Sequence, residues 1–143
     1  MPNDRRDPET LLETYRAAVQ GKDVDAFLAL YDPDVRVFDM WGRWSYDGAV
    51  AWRGVAANWF GSLGDDRVAV EWDDVRSIAG DDLAVVHAFV TFRGLSAGGA
   101  ELRAMSNRLT WVLRRSGNGD WTIVHEHTSA PVDVATGTVM MRR

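Results

Sequence analysis

The spacing of apolar residues changes along this chain. Leu11, Leu12, Tyr15, Ala18 and Val19 recur at helical spacing and predict a first helix. Asp7 suits its cap, Pro8 its first position and Glu9 its positive N-terminal end; Gly21 ends it. Asp23 opens a shorter helix with Val24, Phe27, Leu28 and Tyr31 inward, and Pro33 is expected to stop it. Val35, Val37 and Asp39 then alternate with Arg36, Phe38 and Met40, which is a strand pattern. A hairpin through Gly42 returns the chain toward Tyr46. Asp47 and Gly48 open a third helix carrying Val50, Trp52, Val55, Ala56, Trp59, Phe60 and Leu63, closed by Gly61 and Gly64.

From there the period falls to two. Strands are predicted over 67–78, 83–93, 101–115 and 121–129, with a turn at Ser116–Asp120 and a break at Pro131. The tail to Arg143 has no assigned element. Helices followed by long strands predict a single α+β domain over 1–143: three N-terminal helices packed on a strongly curved antiparallel sheet, as a cone-shaped barrel. A sheet with helices on one side leaves its other face bare. That face, with alternate residues such as Phe89 and Trp111 or their neighbours, is expected to bury itself in a homodimer.

Composition narrows the function. The net charge of −5 argues against nucleic acid as partner, and only Lys22 of the 16 basic residues is a lysine, a bias that fits a GC-rich genome. No apolar run is long enough for a membrane span, and Met1–Pro8 has no apolar leader segment, so a cytoplasmic location is expected. Cysteine is absent, which removes disulfides, thiolate metal sites and a Cys nucleophile. Seven tryptophans are many for this length, and Trp41, Trp44, Trp52 and Trp59 cluster. They supply either an aromatic core and dimer seam or the walls of a pocket for a flat apolar molecule.

The order of elements resembles the nuclear transport factor 2-like superfamily over roughly Leu11 to Pro131. The stretch Trp121-Thr-Ile-Val-His-Glu-His-Thr-Ser-Ala-Pro131, with Asn107-Arg-Leu-Thr before it, is similar to SnoaL-like proteins and to the kinase association domain. Tyr15, Asp23 and Asp39 stand at the spacing found in ketosteroid isomerases. That resemblance implies Tyr15 polarising a carbonyl and Asp39 as general base, without a cofactor. The isomerase's second acid, on the long third strand, has no counterpart in Ala104–Leu113. Matching the final strand implies that Glu126 and Thr128 face the cavity, with Arg108 and Thr110 inward beside them. Arg108 would then hold Asp39 ionised and lower its pKa, or bind an anionic ligand. Limonene epoxide hydrolase is similar in pairing an arginine with acids.

Other uses compete with these. Tyr15 on an apolar stripe serves equally as core, Asp39 can simply bond nearby backbone, and an Arg–carboxylate group can be structural. His125 and His127, with His87 on a neighbouring strand, could chelate, but no third ligand has a fixed spacing. They are assigned to an interface, and no metal is expected. The reading is a small-molecule pocket protein taking an apolar or carboxylate-bearing compound. Asp39, Tyr15 and Arg108 are the candidate catalytic residues, and Trp41, Trp52, Trp59, Thr110, Glu126 and Thr128 line the pocket. The alternative is a non-catalytic dimeric ligand-binding or association module.

Overall fold

The computed structural model describes residues 7–143. The absence of a leader segment was inferred from Met1–Pro8, of which residues 1–6 lie outside the described part. The helices are α1 (Thr10–Gln20), α2 (Val24–Leu28) and α3 (Ala49–Ser62). The strands are β1 (Tyr31–Phe38), β2 (Tyr46–Asp47), β3 (Arg67–Ala79), β4 (Leu83–Leu95), β5 (Glu101–Arg115) and β6 (Trp121–Ser129).

Local chemistry sets the helix starts. The Asp7 carboxylate accepts from the Glu9 N–H at 2.9 Å, one turn ahead of α1. Asp23 caps α2 by accepting from the Ala26 N–H at 3.0 Å. α2 ends at Leu28 rather than running to Pro33. Tyr31 begins β1, and Pro33 lies in that strand. It sits where the register against β6 slips between Tyr31 and Arg36, so its missing N–H disturbs no regular ladder.

The sheet order is β2-β1-β6-β5-β4-β3. β1 runs parallel to β6, so the sheet is mixed and not wholly antiparallel. It is also open, with β2 and β3 at its edges, and not a closed barrel. Register shifts at Asp73/Arg76, Gly94/Leu95 and Val112/Leu113 bend the strands. At the first of these Asp74 has φ +50°, a left-handed conformation that aspartate tolerates better than most residues. α1 packs on β3 and α3 on β1, with α2 between the two helices.

The side chains packed beneath the helices are Val68 and Val70 of β3, Val86 and Val90 of β4, Leu109, Trp111 and Leu113 of β5, and Ile123 of β6. Trp111 is wholly buried here, so it is not on the outer face. Burial of each such side chain stabilises by roughly 1.5–3 kcal/mol. Phe89 does lie on the outer face, half-buried, with the Arg143 guanidinium 4.0 Å from its ring centre. After β6 the chain makes a tight turn, bridged at Val132–Val139. It then returns to β5, where the Ser106 N–H donates to the Met141 carbonyl at 2.6 Å. Among the described residues no helix is long and apolar enough to cross a membrane.

Candidate active site

Between the helices and the inner sheet face lies a cavity of about 670 Å³. Tyr15 of α1, Phe27 of α2, and Trp52 and Trp59 of α3 form one side. Met105 and Asn107 of β5, with Glu126 and Thr128 of β6, form the other. Asp39 and Trp41 enter from the segment after β1, and Arg103 and Met141 also contribute. The size suits a small organic molecule.

Glu126 is 2% exposed yet lines this cavity. The Tyr31 hydroxyl donates to its Oε1 at 2.6 Å and the Trp111 indole N–H donates to the same oxygen at 2.8 Å. Oε2 has no hydrogen-bond partner among the described residues. Burial pushes the Glu126 carboxyl up to about 7. The two donors pull it down, and the nearby Asp39 charge adds to the rise. Glu126 is therefore poised to hold a proton near neutrality.

Asp39 follows directly on β1 and is half-buried. The Thr128 hydroxyl donates to its Oδ1 at 3.0 Å while accepting from the Met40 N–H at 2.9 Å. Thr128 thus ties the end of β1 to β6 and aims the carboxylate. The Trp41 N–H donates to Oδ2 at a long 3.4 Å. Burial raises the Asp39 pKa, against the lowering effect of the hydrogen bonds from Thr128, Trp41 and Met40. The expected lowering by an arginine does not occur, because Arg108 is not there. Arg108 is exposed on the outer face, its Nε donating to Ser129 Oγ at 3.0 Å. Thr110 stands on that same outer face, opposite His127.

The register explains the correction. Trp111 pairs with Glu126 and Leu109 with Thr128, so 107, 109 and 111 look inward while Arg108 and Thr110 look out. The alternation Leu109-x-Trp111-x-Leu113 carries this signal in the sequence and outweighs the resemblance that implies an inward Arg108. Three site residues were missed in the sequence. Tyr31 was assigned to α2, Trp111 to the outer face, and Asn107 was read only as part of a family motif. Asn107 is buried, its Oδ1 has no partner, and its amide lies 3.5 Å from the Met40 sulfur.

Tyr15 is 4% exposed and packs against Phe27, Trp72 and Trp111. Burial, then the Glu126 and Asp39 charges, push its hydroxyl well above the usual tyrosine value, so it stays protonated. That hydroxyl has no hydrogen-bond partner among the described residues. Trp52 is buried with its N–H beside Tyr31 but without a well-formed hydrogen bond. Trp59 meets Phe92 edge-on at 5.9 Å, and Trp41 is 52% exposed at the cavity rim. Trp44 is outside the lining and almost fully exposed.

The histidines are on the opposite side of the sheet. Phe38 packs edge-on against the rings of His125 and His127, and His125 Nδ1 lies 2.7 Å from the Arg36 carbonyl. His87 sits across Thr110 from His127. No cluster of three or more metal-ligating side chains occurs among the described residues.

Residues 9–133 match the SnoaL-like domain family. No curated protein matches the chain. A nuclear transport factor 2-like protein of unknown function from Pseudomonas putida KT2440 is 26% identical, with a TM-score of 0.83 over 98% of this chain and 95% of that one. A nuclear transport factor 2-like superfamily protein from Salmonella enterica serovar Typhimurium is 20% identical, with a TM-score of 0.67 over 88% and 89%. A Xanthomonas campestris protein named for the calcium/calmodulin dependent protein kinase II association domain is 21% identical, with a TM-score of 0.69 over 87% and 86%. With a buried acid and a half-buried one on an apolar cavity, on this fold and over this length of match, the chain belongs to the SnoaL-like family of the nuclear transport factor 2-like superfamily.

Proposed function

We propose that the cavity binds a small, mostly apolar carbonyl compound and moves a proton on it without a cofactor. The observation that carries this reading is the pair of unlike acids on one cavity. Asp39 is half-buried, its pKa raised by burial against three hydrogen bonds that favour the ionised form; Glu126 is fully buried with fewer such donors and is pushed up to about 7. Environments that push two carboxyls apart assign one as base and the other as acid. Asp39 takes a proton from the carbon next to the carbonyl. The carbonyl oxygen, gaining charge, accepts from the Tyr15 hydroxyl and from protonated Glu126. Asp39 then returns the proton to the same carbon or to another carbon of the enolate, which completes an exchange or an isomerisation. The aromatic walls keep water from the carbanion. Arg108 and Thr110 have no part, since both face outward. The protein acts as a homodimer in the cytoplasm, a location with which the cysteine-free chain is compatible.

The test is deuterium uptake in heavy water by a panel of cyclic ketones and enones, followed by proton NMR. Asp39→Asn is expected to slow wild-type exchange by about 10²–10⁴-fold while affinity stays within about tenfold. Near-wild-type exchange by that variant would refute Asp39 as base. Tight binding without any exchange in the wild type would favour the alternative, a non-catalytic binding or association module.

A further inference from the structure

We propose that the ligand is an elongated apolar acid, bound with its anionic group at Arg103 and its other end toward Asp39 and Glu126. This deepens the pocket reading above and rests on it. Among the described residues Arg103 is the one cationic side chain in the cavity lining. The register places Arg103, Met105 and Asn107 on the same face of β5. Arg103 is four residues from Asn107, about 14 Å along the strand. It pairs across β4 with Gly94, whose missing side chain leaves the Arg103 stem lying over the glycine. A Cβ at Gly94 would stand 3.4 Å from Arg103 Cγ.

The charge around Arg103 is unbalanced in a way that its neighbour's is not. Arg93, on the outer face of the same sheet region, is held by Glu71 at 2.8 Å and by Glu101 at 2.7 Å. Arg103 has no ion pair or hydrogen bond among the described residues. A guanidinium presents a planar fork that matches a carboxylate in two bonds. The other end of the cavity repels such a group, because among the described residues it holds the Asp39 carboxylate and no cation. An anionic ligand therefore has one favourable orientation. Its apolar body lies along Trp59, Phe92, Met105 and Met141, and its acid stays at the Arg103 rim. A molecule short enough to fit near Asp39 alone leaves Arg103 unpaired.

The experiment uses calorimetric titration of the full chain at low salt with three probes of one shape: phenyloctanoate, phenyloctanol and phenyloctylammonium. The wild type is expected to bind the acid about tenfold more tightly than the alcohol. Arg103→Gln is expected to level the two while leaving alcohol binding unchanged, which also shows that the variant is folded. Added salt should weaken the acid and not the alcohol. Equal affinity of the wild type for acid and alcohol, or preference for the ammonium, overturns the role of Arg103 but keeps the pocket. An acid preference that survives in Arg103→Gln does the same. Binding of none of the three overturns the apolar-pocket reading, and this proposal with it.

Discussion

At Glu126 two donors, a nearly dry site and a second carboxylate act on one proton equilibrium. Its ordinary value is 4.5 and in the fold it rises to about 7. The folded chain therefore holds a proton that the unfolded chain has already released between those values. Stability from this group is present below the lower value and is lost as pH rises through the upper one. Glu126→Gln keeps an acceptor for Tyr31 and Trp111 but has no charge to bury. The variant is expected to gain on the wild type from about pH 5 to about pH 8, by on the order of 2–3 kcal/mol. Urea unfolding of both proteins at the two pH values measures it. A difference that does not move with pH would mean that Glu126 is ionised in the fold at both. Asp39 has the same sign of shift and remains in the variant, so the comparison reads Glu126 together with its coupling to Asp39.

Elements show which parts of this site were legible in the sequence. The bounds of β5 and β6 follow from alternation alone, and the spacing of Tyr15 and Asp39 put both on the cavity. What alternation cannot show is the extra residue in β6. Val112 pairs with His125 but Leu113 pairs with Ile123, so Val124 is a bulge. Because of it, Trp121 and Ile123 face inward at odd numbers and Glu126 and Thr128 at even ones. A strict period of two reads one pair or the other as outside. The parallel contact of β1 with β6 was equally invisible, being made by residues some 90 apart in sequence. Deleting Val124 is expected to close the ladder into strict alternation, with Trp121, Ile123, Glu126 and Thr128 all still inward and only the bend of β6 lost. The cost should be about 1–2 kcal/mol, read from the midpoint of urea unfolding. A loss of about 4 kcal/mol or more would show that the bend at Val124, beyond the side-chain alternation, holds β6 against the core.

At the scale of the whole molecule, one face of the sheet has its helices and, among the described residues, the other has none. The bare face is mixed in character. Phe38, Val85, Phe89 and Val112 offer apolar surface, half-buried already, among Arg108, Arg114 and the exposed His87 and His127. Arg143 of the tail covers part of Phe89. A strongly apolar face would be covered within the monomer, and a fully charged one would stay in water. This intermediate composition matches an interface with an apolar centre and a polar rim. A second copy related by a two-fold axis places the same patch on itself. Val112 lies at the centre of the patch, between Val85 of β4 and His125 of β6. Sedimentation equilibrium at micromolar concentration is therefore expected to give twice the 16.0 kDa of the chain. Val112→Asp should return the protein to the monomer, because a carboxylate at the centre meets its own copy across the axis. The side chain points away from the core, so the circular dichroism spectrum should not change. A wild-type monomer would remove the dimer from the proposal, and a Val112→Asp dimer would move its interface off this face.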